Sequence, residues 1–152
     1  MIIALLDAEL RRDEGVRYAQ YLDTKGIPTI GVGHNLNAMP LPDGWTQPIT
    51  DDEVDILLNQ DLQVVFNALD LHLPWWRQLD EVRQRVIANM TFNMGITTLL
   101  EFKNTLHAMQ IGDYASAAGG MAASAWAREV GHRAGRLIEA MSTGVMPDEP
   151  QI

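Results

Sequence analysis

Apolar residues Ile3, Leu6 and Leu10 recur at helical spacing at the start of the chain, and Gly15 stands just past the last turn. That pattern predicts a first helix with Glu14 at its C-terminal end. Two β-prone runs follow, Tyr18 to Leu22 and Ile27 to Val32, joined by the turn formers Asp23-Thr24-Lys25-Gly26. A hairpin is expected there with Asp23 at its tip, and strand alternation sets Ile27, Thr29 and Gly31 on one face. Between Leu36 and Pro48 proline and turn residues exclude a long helix. Thr50 and Glu53 then fit a capping box ahead of Val54, Leu57, Leu58, Leu62, Val65 and Leu69, a long amphipathic helix that Pro74 must end.

The second half of the chain is patterned as helices only. Val82, Val86, Met90 and Met94 keep helical spacing up to Gly95. Asn104 to Ile111 is a further helix, Asp113 caps another through Met121, and Ala134, Leu137, Ile138 and Met141 mark a last one between Gly131 and Gly144. Gly119-Gly120 is expected to weaken its helix by about 1 kcal/mol per glycine relative to alanine. The tail, residues 145–152, with two prolines and two acids, is expected to fray. The pattern implies one α+β domain over residues 1–152, mostly α.

Composition narrows the function classes. The hydrophobic fraction of 47% is that of an ordinary globular protein, and without cysteine nothing demands an oxidising compartment. The apolar start, Met1 to Leu6, is broken by Asp7, Glu9, Arg11 and Arg12, so neither a cleavable leader nor a membrane span is expected. Acids outnumber bases by 20 to 11, a net charge of -9, which argues against nucleic acid or an anionic membrane as partner. Arg128, His132, Arg133 and Arg136 are nonetheless clustered and could form a local positive wall.

The chemistry concentrates in the first 34 residues. Glu14 faces the negative end of a helix dipole, which disfavours its charged form and suits a general acid. Asp23, on a polar hairpin tip, is expected to stay ionised. Two carboxyl groups held in such contrasting surroundings are what glycosidic cleavage requires. Asp23 is also a good turn residue, and the two roles do not conflict. Gly31 and Gly33 permit close approach of substrate or of the neighbouring helix; as a phosphate loop they lack a following helix. The histidines share no ligand spacing, so no metal and no cofactor is expected.

The spacing Glu14-x8-Asp23-x5-Thr29, followed by Ile30-Gly31-Val32-Gly33-His34, resembles the phage-type lysozyme family, the T-even phage lysozymes and endolysins. The likeness continues through Asn59-Gln60-Asp61, Asn89 to Gly95, Phe102 to Leu106 and Ser124 to Arg133. It implies a lysozyme-like fold with a hairpin lobe (13–49), a connecting helix (50–73), a helical lobe (1–12 plus 74–144) and a cleft between the lobes. It also implies an inverting endolysin that cuts the β-1,4 bond between N-acetylmuramic acid and N-acetylglucosamine. By the resemblance Glu14 is the acid, Asp23 and Thr29 hold the attacking water, and Asn35, Phe92, Asn93 and Thr105 contact the glycan. His34 pairs with Asp61, and Arg133 approaches Glu14. The implied partner is a peptidoglycan strand met by a monomer, with no nucleic acid and no stable membrane insertion. Synthesis in the host cytoplasm, then release through holes in the inner membrane, would bring it to the wall. Two rivals stand beside this reading: a lytic transglycosylase, which would need neither Asp23 nor Thr29, and a non-catalytic module that binds wall glycan or a protein.

Overall fold

The computed structural model describes residues 1–152 and contains one small sheet and eight α-helices. α1 (Ile3–Glu14) ends where the Gly15 amide donates to the Arg11 carbonyl, so Glu14 does occupy the final turn. The chain then forms a three-stranded antiparallel sheet in the order β1 (Arg17–Leu22), β2 (Pro28–Gly31), β3 (His34–Asn35). Tyr21 lies opposite Thr29, and a bulge between Arg17 and Tyr21 re-aims the start of β1. β3 was not expected, since two residues are too few to show a period. Alternation also fails on β2: Thr29, Ile30 and Gly31 are all buried, because this central strand is flanked by β1 and β3 and packs on α2.

α2 (Asp51–His72) starts with the expected capping box: the Glu53 amide donates to Thr50 Oγ1 at 3.1 Å and the Thr50 amide to Glu53 Oε1 at 2.9 Å. Its apolar stripe, Val54, Leu57, Leu58, Leu62 and Leu69, is shared by both lobes. Ile30, Val32 and Ile49 join it from the sheet side, and Trp76, Ile87 and Met90 from the helical side, as one continuous core. Burying each such leucine or isoleucine stabilises by about 1.5–3 kcal/mol, so this core fixes the angle between the lobes. After Pro74, a 3₁₀ helix (Pro74–Gln78) seats Trp76 against Phe66, ring centroids 5.9 Å apart, with its indole N–H donating to Asp70.

The helical lobe comprises α3 (Glu81–Met94), α4 (Ile96–Leu99), α5 (Lys103–Ile111), α6 (Tyr114–Ala122), α7 (Ala125–Val130) and α8 (His132–Thr143). The two unexpected helices, α4 and α7, are only four and six residues long, although Ser124 caps α7 through the Ala127 amide. Gly120 proves to be more than a weak helix former. A Cβ there would fall 2.1 Å from Thr105 Oγ1, so its absence lets α6 close on α5.

The tail departs from expectation. Residues 145–152 form no helix or strand, yet Met146 is in the core, Arg12 donates to the Asp148 carbonyl at 2.7 Å, and Glu149 pairs with Arg85. The anchors lie on α1 and α3, far away in sequence.

Candidate active site

Glu14 is held from two sides. Arg133 Nη1 on α8 donates to Glu14 Oε1 at 2.6 Å, while its Nε and Nη2 both donate to Asn89 Oδ1 at 2.9 and 2.8 Å. Asn89, fully buried on α3, donates in turn to Asp13 Oδ2 at 3.3 Å. Arg136, one turn beyond Arg133 on the same face of α8, donates to Asp13 Oδ1 at 2.7 Å, and Arg12 Nε reaches that oxygen at 3.1 Å. Buried charges persist only when paired and hydrogen-bonded, and this network meets that condition for Asp13, whose side chain is 1% exposed. From the other side comes Gly33, at φ 60°, where a Cβ would lie 3.0 Å from both Cδ and Oε2 of Glu14. The close approach that Gly33 permits is therefore to the carboxyl group itself, whereas Gly31 faces Leu57 and Ile49. Glu14 Oε2 takes no hydrogen bond within the chain; only Oε1 is anchored.

Asp23 is held by its own turn. Its Oδ1 accepts from the amides of Lys25 at 2.8 Å and Ile27 at 2.9 Å, which leaves Oδ2 without a partner in the protein. The Ile27 carbonyl accepts from the Asp23 amide and, at 2.8 Å, from Thr29 Oγ1. A hydroxyl that has donated its one hydrogen keeps its lone pairs, so Thr29 can still accept. Tyr21 lies opposite Thr29 across the sheet; burial first, then the charge of Glu14 against the opposing pull of Arg17, and last Asp23, hold its phenol above the ordinary value.

His34 is buried between Asp61 on α2 (Nδ1 to Oδ2, 2.7 Å) and the Met39 carbonyl (Nε2 to O, 2.8 Å). Burial alone would pull its pKa down, but the hydrogen bond and charge of Asp61, with the Met39 carbonyl, hold it above the ordinary value. Its work is to tie β3 to α2. Asn93 is half-buried and accepts from the Trp126 indole at 2.9 Å, leaving its amide N–H groups free; Phe92 beside it is half-buried against the core. Asn35 is exposed, but its side-chain oxygen is spent on the amides of Asn37 and Ala38. Thr105 is buried against Gly120 and no hydrogen bond ties it to the two acids.

The expected positive wall is only partly present. Arg133 and Arg136 turn inward to Glu14, Asp13 and Asn89, so only Arg128 and His132 stay exposed. No three His, Asp or Glu side chains converge as a metal centre requires. A polar depression of about 480 Å³ at the start of α8, beside His132, Arg136 and Asp148, includes neither Glu14 nor Asp23. Sequence reasoning gave no part to Asp13 or Tyr21, named Asn89 only within a family block, and expected Arg136 in the positive wall rather than on Asp13. A signal existed for Arg136, which shares a helical face with Arg133.

Comparison with known proteins agrees on one family. The phage lysozyme family model matches residues 11–141. The chain is 31% identical over 158 residues to a probable T4-type lysozyme of Dictyostelium discoideum, covering 90% of this chain and 93% of that protein. It is 32% identical over 155 residues to the pre-baseplate central spike protein Gp5 of Enterobacteria phage T4, covering 89% of this chain but only 27% of the spike protein's length. With the endolysin of Salmonella phage P22 the identity is 36% over 90 residues, 57% of this chain and 58% of that one.

Proposed function

The chain belongs to the phage lysozyme family, and on that premise we propose that it is a muramidase, cutting the β-1,4 bond between N-acetylmuramic acid and N-acetylglucosamine with inversion. One observation carries the reading: Glu14 and Asp23 each have one carboxyl oxygen anchored by the protein and one without a partner in the chain. In the proposed step Glu14, protonated, gives its proton to the leaving glycosidic oxygen. Water attacks the anomeric carbon from the opposite face, passes one proton to Asp23 and keeps its other hydrogen as the new anomeric hydroxyl, which donates a hydrogen bond to Thr29 Oγ1 during the attack. Inversion requires the two carboxyl groups to stand about 6.5–9.5 Å apart, leaving room for that water. His34, Asp61 and Arg133 support the site, and Asn35, Phe92, Asn93 and Thr105 line the glycan path.

We further propose that the protein works as a monomer on the wall, made in the host cytoplasm and released through holes in the inner membrane. No helix is long and apolar enough to cross a membrane. The engaged side-chain oxygen of Asn35 and the buried Thr105 favour, as second reading, a module that binds wall glycan or a protein without cutting it. Turbidity clearing of outer-membrane-permeabilised Gram-negative cells separates the two. The hydrolase reading expects clearing by the wild type and none by Glu14→Gln, whose side-chain oxygen can still accept from Arg133 and so keeps the fold. Full clearing by that variant ends the assignment.

A further inference from the structure

Seven of the eleven lysines and arginines are held in ion pairs within the chain: Arg11, Arg12, Arg77, Arg83, Arg85, Arg133 and Arg136. Arg17, Lys25, Lys103 and Arg128 are not. Of these four, Arg17 has the least ordinary setting. It lies three residues after Glu14, opposite Gly31 in the sheet, and its guanidinium sits 4.5 Å from the centroid of the Tyr21 ring. Tyr21 in turn lies opposite Thr29 on the neighbouring strand. Arg17 makes no ion pair within the chain and rests on an aromatic face. Stacking of that kind holds the guanidinium plane while leaving its N–H edge open to a planar anion.

The polymer proposed as substrate carries carboxylates, and a chain of net charge -9 repels them at long range. We propose that Arg17, braced by Tyr21, recognises a carboxylate borne by the wall strand as the strand lies across Glu14 and Asp23, and so selects carboxylated over neutral glycan. This rests on the hydrolase reading above and names the anionic group that the site prefers. Arg17 is exposed, at the rim of the sheet, so nothing need move for a carboxylate to meet it two-pronged. The bulge between Arg17 and Tyr21 gives the sequence a physical purpose here, since it turns the first residue of β1 relative to the rest of the strand.

The test compares native peptidoglycan with the same material after its carboxylates are converted to amides by carbodiimide and ammonia, reading release of reducing ends. Wild type should cleave the native wall with a kcat/KM about tenfold higher, mostly through KM, the fold expected of one charge-assisted pair. Arg17→Gln should cleave the two walls with equal efficiency, and Arg17→Lys, with the charge but not the planar fork, should fall between. Lys103→Gln, which alters an unpaired cation elsewhere, should keep the wild-type ratio. Equal cleavage of both walls by the wild type, or an unchanged ratio in Arg17→Gln, would overturn the proposal. Release of reducing ends from neither wall would overturn the hydrolase reading and this one with it.

Discussion

The two acids are secured in opposite ways. Glu14 hangs on side chains that converge from α1, α3 and α8, an ion-pair network closed around the buried Asp13. Asp23 hangs on backbone: two amides of its own turn bind one oxygen, and the nearest cation along the chain, Lys25, pairs with nothing. Networks of the first kind are stiff and costly to disturb, because removing one member strands the others without solvent. A turn of the second kind is cheap and leaves its carboxylate near water. The contrast suits an acid that must be aimed at a leaving group and a base that must exchange protons with a water.

The sharpest way to break the comparison is to exchange the expected effects. Asp23→Ala should lower the rate of wall clearing by about 10²- to 10⁴-fold, the usual worth of a positioned acid or base, while moving the urea-unfolding free energy by only about 1 kcal/mol. A large loss of stability would mean that the hairpin tip is structural after all. Next in size, Arg133→Met should cost about 3–5 kcal/mol in the same unfolding measurement, since it leaves Glu14 and Asn89 without their shared donor. If that variant is as stable as wild type, the acid side is no more rigid than the base side.

The smallest effect concerns His34, which lies outside both carboxylate anchors and joins β3 to α2. Its pKa is raised on folding, so its contribution to stability is complete below the ordinary value of 6.5 and is lost as pH rises through the higher folded value. The gap in unfolding midpoint between wild type and His34→Gln should therefore be widest at mildly acidic pH and narrow on the alkaline side. A gap independent of pH would show that the hydrogen bonds to Asp61 and Met39 matter without the charge.

The same contrast explains what was legible in the sequence. The hairpin, its Asp23 turn, the Thr50 capping box and the stop at Pro74 are local events, each set by a few neighbouring residues, and each stands where the pattern places it. Arg133 could be placed beside Glu14 by family likeness, but Asp13, Asn89 and Arg136 could not be ranked above other polar residues, because the contacts that join them span 44 positions (Asn89 to Arg133), 76 (Asp13 to Asn89) and 123 (Asp13 to Arg136). Gly120 looked like a weak point in a helix and is a contact surface for Thr105. The tail reads as loose from its prolines, yet three distant groups hold it. Long-range packing decides these cases, and periodicity carries no information about it.

The central claim, that Glu14 gives a proton while Asp23 activates a water on the far side of the sugar, is tested most directly by the stereochemistry of the first product. Proton NMR during the opening minutes of glycan-strand cleavage should show the new reducing end as the α anomer, with β appearing only as mutarotation proceeds. A β anomer formed first, or an anhydro end with no anomeric hydroxyl, would contradict it.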